Sequence, residues 1–160
     1  MLPAGEQFHI DALVQATAQN SALDGFRPAL HASHWQVLGT YLQPLAVKTG
    51  QVVIQQGATD RTIYFVEAGN LTVHFEDETG RIRIASVGPG SAVGEGAFFS
   101  REPRSATVQA ATACKLWSLT AMRFTELSNR QPQIALDVAM ALGALVSRRL
   151  ADRLRSVAIT

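Results

Sequence analysis

Between Val47 and Leu119 glycine cuts the chain into short apolar runs, and this punctuation limits the possible folds more than any other feature. Glycines at 50, 57, 69, 80, 88, 90, 94 and 96 separate stretches rich in Val, Ile, Thr, Phe and Tyr. Branched and aromatic side chains suit a pleated, half-buried surface, and glycine admits turn conformations closed to other residues. The strands this predicts are Gln51–Gln55, Thr62–Glu67, Asn70–Glu76, Ile82–Val87, Ser105–Ala110 and Cys114–Leu119. Their spacing is that of an antiparallel sandwich or barrel, with "DETG" (Asp77–Gly80) as a hairpin turn.

Both flanks read as helical. Ile10, Leu13, Val14 and Thr17 recur at helical spacing, and Gly25 with Pro28 closes that segment. Ser33 with Gln36 three positions on reads as a capping box, and Pro44 as the close of that helix or its exit turn. Beyond Leu119, Phe124 and Leu127 restart the helical spacing, and Pro132 opens a helix expected to run to about Arg155. Arg148, Arg149, Arg153 and Arg155 gather near its end, where the helix dipole favours positive charge. Helices, then strands, then helices predict an α+β fold around a β core.

A chain of 160 residues has the length for one domain with a real core. A net charge of +1 generates no field that would gather nucleic acid or an anionic membrane. One cysteine, Cys114, cannot build a disulfide framework and suits a reducing compartment. The start "MLPAGEQFHIDALV" lacks the basic and apolar regions of a secretory signal, and Ile134–Val146 is too short to span a bilayer. A soluble, cytoplasmic protein is expected.

The chemistry concentrates in "VGEGAFFSREPRSATV", Val93–Val108. Gly94 and Gly96 let the backbone approach a ligand, and "GAFFS" can make one helical turn with free N–H groups. Arg104 supplies a planar, permanently charged fork that suits a phosphate, and Ser105 adds a hydroxyl and an N–H beside it. Glu95 has no use for an anion, but a carboxylate accepts from a sugar hydroxyl. One loop therefore offers a phosphate clamp and a hydroxyl acceptor together.

This stretch, as "GEGAFFSREPRSATVQA", resembles the phosphate-binding cassette of cyclic nucleotide-binding domains. The Glu95-to-Arg104 spacing matches, as do the upstream motifs ending at Gly57 and Gly69 and the "GPGSAVGE" that leads in. The resemblance covers about Ser33 to Arg155, and places an N-terminal helical extension over 1–32 and the nucleotide-binding domain over 33–160. It implies an eight-stranded antiparallel β roll, jelly-roll-like, with N-terminal helices and a long C-terminal helix, so two more strands than the runs above. It also implies that Arg104 holds the cyclic phosphate and Glu95 the ribose 2′-hydroxyl. The N–H groups of Ala97 and Ser105 complete the phosphate cradle in the loop of Gly94 and Gly96, and Val73 and Ile84 line the base pocket. In relatives a Thr after the Arg often favours cGMP and a Ser or Ala often accompanies cAMP, so Ser105 tilts the ligand towards cAMP, with cGMP as the alternative. Gly96 and Phe98 depart from the usual residues, and a small residue at 96 loosens the cassette or widens the pocket.

Other constellations carry less. An internal Glu95–Arg104 pair is the ligand-free alternative, since a buried guanidinium needs some anion or carboxylate. His31 and His34 read as exposed imidazoles at a helix start, and no metal or cofactor is expected. Cys114 reads as a core thiol, "GPGSAVGEG" lacks the Gly-Lys-Ser/Thr of a Walker loop, and no enzyme is read. In relatives that regulate transcription a helix-turn-helix follows the long helix; only "SVAIT" follows Arg155, so DNA binding is disfavoured. The expectation is a sensor module whose C-terminal helix moves over the ligand, with Gly143 as a hinge. One face of its apolar first half packs on the β roll, and the remainder is covered by the ligand, by the N-terminal helices, by a protein effector or by self-association. A ligand-free interaction domain and the regulatory domain of a larger channel or transporter are the alternatives.

Overall fold

In the computed structural model, residues 7–159 are described, with side chains through residue 155. Residues 1–6 of the expected N-terminal extension lie outside them. The helices α1 (Ile10–Gln19) and α2 (Ala32–Gly39) precede β1 (Gln43–Val47), β2 (Val52–Ile54), β3 (Ile63–Ala68), β4 (Leu71–Asp77), β5 (Gly80–Val87) and β6 (Ala92–Val93). Then follow α3 (Glu95–Ser100), β7 (Thr107–Ala110), β8 (Cys114–Leu119), α4 (Ala121–Arg130) and α5 (Pro132–Ile159). The strands form two four-stranded antiparallel sheets, ordered β1-β8-β3-β6 and β2-β7-β4-β5.

Strand alternation sorts the core into two clusters. In β8, Cys114 and Leu116 point between the sheets with Val66, Leu71 and Val108, while Trp117 and Leu119 point the other way. Trp117 and Leu119 meet Ile63 and Phe65 of β3 under a layer made by α1, α2, α4 and α5. The first sheet is thus buried on both faces, and the second turns β5 to solvent. Phe26, fully buried, ties the α1–α2 connection to this layer by packing on Trp35 and Phe65 at centroid distances of 6.3 and 4.7 Å. The hairpin falls at "DETG": Asp77 pairs with Gly80, and Asp77 accepts from the Thr79 N–H and hydroxyl at 2.8 and 2.6 Å. Cys114 is a buried core thiol, and burial pushes its pKa up.

Several boundaries differ from the sequence reading. Pro44 does not close a helix; it lies in β1, opposite Trp117, on an edge strand where a missing N–H is tolerated. β1 and the two-residue β6 are the strands that only the resemblance implied. Ser33 is not a cap: α2 starts at Ala32 with His31 as N-cap, no side chain caps it, and Gln36 instead donates to Asp11 at 2.9 Å. Thr120 caps α4, accepting from the Arg123 N–H at 3.1 Å. α1 stops at Gln19, where Asn20 turns the chain by accepting from the Ala22 N–H. α5 runs past Arg155 to Ile159, so Arg148 and Arg149 stand well inside it, away from the dipole's end.

α5 buries Ile134, Ala135, Val138, Ala141, Leu142 and Leu145 against the shared helical layer. The N-terminal helices do not cover the rest of its apolar surface. Leu136, Met140, Leu150 and Leu154 are 53, 67, 58 and 63% exposed.

Candidate functional site

The site begins at Gly94, the N-cap of α3, held at φ 90°. A Cβ at this position would lie 2.6 Å from the Thr62 carbonyl and 2.9 Å from Arg104 Nη1, so only glycine lets the backbone pass. The six-residue α3 is the helical turn expected after "VG", and it ends at Arg101, whose φ of 63° is left-handed. Gly96 lacks the positive φ, and a Cβ there would meet nothing within 4 Å. The small residue therefore opens space instead of relieving strain.

Arg104 is 4% exposed and gripped by the β2–β3 connection. Its backbone N–H donates to the Ala58 carbonyl and its carbonyl accepts from the Gly57 N–H, both at 2.8 Å. Nη2 donates to Asp60 Oδ2 and to the Thr62 carbonyl at 2.7 Å each, Nε to Asp60 Oδ1 at 3.4 Å, and Nη1 to the Gly94 carbonyl at 3.0 Å. Of the five N–H groups a guanidinium carries, one on Nη1 meets no acceptor among the described residues. The carboxylate that answers Arg104 is thus Asp60, not Glu95. The hydrogen bond from Arg104 holds the Asp60 carboxyl below the ordinary aspartate value of 3.8, against a smaller effect of burial. Burial, and then the charge of Asp60, pushes the neighbouring Tyr64 hydroxyl up. Arg61 braces the same cradle, donating to the Phe98 carbonyl at 2.6 Å with its guanidinium 5.7 Å from the Phe98 ring centroid.

Glu95 is met by α5. Arg149 Nη1 donates to Glu95 Oε1 at 2.7 Å, and no hydrogen bond to Oε2 forms among the described residues. The other edge of the Arg149 guanidinium, Nε and Nη2, donates to Asp24 Oδ2 at 3.2 and 2.9 Å. Nη2 also reaches Ser91 Oγ at 3.0 Å and the Ala92 carbonyl at 2.8 Å.

These groups open onto one cavity of about 710 Å³. Gly94, Glu95, Gly96, Ala97, Arg104 and Ser105 line one wall. Val73 and Ile84, on β4 and β5, line the apolar side, where Ile84 is 42% exposed. Every site residue named from the sequence thus borders the same space. The volume suits a small polar ligand with one apolar end. Arg149, Asp24 and Leu23 also border it.

Three participants escaped the sequence reading. Asp60 had a signal, an acid in the polar "GATDRT" loop before a strand, but its partner stands 44 positions away. Arg149 was visible only as one of a row of arginines. Asp24 carried no signal, because a turn between two helices is an ordinary place for an aspartate. Among the described residues no group of three or more His, Cys, Asp or Glu side chains is placed to hold a metal, and no helix is long and apolar enough to cross a membrane.

Comparison with known proteins points the same way as the cassette. Residues 44–131 match the family model described as the cyclic nucleotide-binding domain. A cyclic nucleotide-gated potassium channel of Rhizobium etli is 38% identical over 94 residues, 59% of this chain and 25% of the channel. The cAMP-activated global transcriptional regulator CRP of Escherichia coli is 35% identical over 100 residues, 61% of this chain and 46% of the regulator. The chain thus spans less than half the length of either. A solved cyclic nucleotide-binding domain from Methylobacillus flagellatus superposes with a TM-score of 0.82 at 19% identity, over 94% of this chain and 84% of that one, and shares the fold. With the family model spanning more than half of the sequence and the cassette built around Glu95 and Arg104, the chain belongs to the cyclic nucleotide-binding domain family.

Proposed function

We propose that this chain is a sensor module that binds a cyclic nucleotide, cAMP in preference to cGMP, and regulates a partner through α5 without catalysis of its own. The observation that carries this reading is one cavity with Arg104 and Glu95 on the same wall, each keeping one hydrogen-bonding group without a partner among the described residues. A cyclic phosphate suits the first and a ribose 2′-hydroxyl the second, with the base against Val73 and Ile84. Ser105 at the phosphate end favours cAMP by the family resemblance.

Regulation rests on α5, because Arg149 joins that helix to Glu95. A ligand that changes how Glu95 is engaged binds the docked and undocked positions of α5 differently, which is what a population shift requires. Gly143, inside α5 with open space beside it, is the bending point in this reading. The exposed Leu136, Met140, Leu150 and Leu154 fall, with Gly143 and Ser147, on alternating four- and three-residue steps. That spacing is a coiled-coil seam, and it favours a second copy of α5 over an unrelated effector as the cover.

Calorimetric titration of nucleotide-free protein with cAMP and then cGMP tests the reading, with Arg104→Lys as the control that keeps the charge and loses the fork. Micromolar binding of cAMP, weakened in the control, is expected. The internal partners of Arg104 and Glu95 favour a second reading, an interaction domain whose fold is complete without ligand. No heat and no thermal shift with either nucleotide would establish that one instead.

A further inference from the structure

The N-terminal segment enters the cavity wall at Leu23 and Asp24. Asn20 donates to the Pro89 carbonyl at 2.8 Å, the Phe26 N–H to Gly90 at 2.8 Å, and Ser91 Oγ to the Asp24 carbonyl at 2.6 Å. From the other side, Arg148 of α5 donates to the Leu23 and Gly25 carbonyls at 2.6 and 2.7 Å. Asp24 is thereby fixed between the turn that leads into the cassette and the helix that closes over it. Its carboxylate is 26% exposed, against 20% for Arg149 and 18% for Glu95, so the three charges interact with little water between them.

A guanidinium is rigid and planar, so fixing one edge aims the other. Asp24 Oδ2 takes Nε and Nη2, the Ala92 carbonyl and Ser91 Oγ add to Nη2, and Nη1 is left directed at Glu95 Oε1. Glu95 in turn is held by Oε1, and Oε2 accepts no hydrogen bond among the described residues. We infer that Asp24, outside the matched residues 44–131, is a positioning residue for nucleotide binding: through Arg149 it orients Glu95 towards the ribose 2′-hydroxyl. The inference rests on the reading of Glu95 given above. It makes the α1–α2 connection part of the binding machinery and not merely an extension in front of it.

The test separates orientation of Glu95 from general damage to the fold. Affinities for cAMP and 2′-deoxy-cAMP are measured by titration on the wild type, on Asp24→Ala and on the isosteric Asp24→Asn. The wild type is expected to prefer cAMP. In the variants that preference shrinks by roughly threefold to tenfold, the size of coupling carried through a shared ion pair, while 2′-deoxy-cAMP binds as before. An undiminished preference for the 2′-hydroxyl, with or without an equal loss for both ligands, overturns the inference and leaves cyclic nucleotide binding standing. A wild type that binds both ligands equally also overturns it, since Glu95 then accepts nothing from the sugar. A wild type that binds neither removes the functional reading and the inference with it.

Discussion

Arg104 and Asp60, 44 positions apart, meet through contacts of 2.7 and 3.4 Å, the guanidinium side chain 2% exposed and the carboxylate 50%. One partner is a buried cation and the other sits at the solvent edge, so the pair is neither a surface ion pair nor a fully desolvated one. Its carboxylate titrates below the ordinary 3.8 because the hydrogen bond from Arg104 favours the charged form. Unfolded chains therefore take up the proton first as pH falls, and the pair's contribution, complete above pH 3.8, is lost as pH drops through the lower folded-state value. Asp60→Asn is expected to cost roughly 1–2 kcal/mol at neutral pH, less than a buried pair because solvent screens half of the carboxylate. Urea unfolding of both proteins between neutral and strongly acid pH checks this: their difference should shrink below pH 3.8. Asp77, lowered by its bonds from Thr79, contributes acid sensitivity of the same sign to both and cancels in the comparison.

Gly94 and Gly96 are close in sequence and opposite in consequence. Ala at 94 must adopt a positive φ and push its Cβ against Thr62 O and Arg104 Nη1, an expected loss of at least about 2 kcal/mol together with the nucleotide site. Ala at 96 has an ordinary φ and open space, so it should gain about 0.5–1 kcal/mol from the restricted unfolded chain and the better helix former. Thermal unfolding of the two single variants distinguishes them. Equal effects would mean that the turn at Gly94 adapts.

Arg101 ends α3 in the left-handed region without being glycine. Its side chain is exposed, and its N–H closes the helix on the Ala97 carbonyl at 3.0 Å, a bond that glycine makes as well. Arg101→Gly should therefore stabilise the protein by about 0.5–1 kcal/mol, the left-handed penalty less the entropy that glycine costs. A lower denaturant midpoint in the variant would mean that the side chain holds a contact worth more than the strain.

The β core was legible because glycine turns and alternating runs are local signals, and β8 matches its predicted bounds, Cys114–Leu119. β1 was not, since Pro44 reads as a stop unless one knows that its strand lies at a sheet edge, where a missing N–H is tolerated. β6 has two residues, too few for any alternation. In the site, Gly94, Glu95, Arg104 and Ser105 were legible because a ligand-binding loop gathers its groups within a dozen residues. What completes the site is non-local: Asp60 comes from the β2–β3 connection, Asp24 from the α1–α2 turn and Arg149 from the far helix. Charges of that kind look solvated in a sequence, and only the fold decides which of them pair.

On α5 the exposed stripe of Leu136, Met140, Leu150 and Leu154 flanks Gly143 and Ser147, whose small size lets a second helix approach closely in the middle of the seam. Residues 151–155 are all exposed, so this end of the stripe is open to solvent where two copies can meet. Light scattering should give a dimer at micromolar concentration, and Leu150→Glu with Leu154→Glu should give a folded monomer. If the helices run parallel and in register, Ser147→Cys should cross-link to its own copy on mild oxidation. The native Cys114, buried in the β core, does not confuse that result. A wild type monomeric at high concentration would return the stripe to some other protein and leave α5 as a lid that a single module presents.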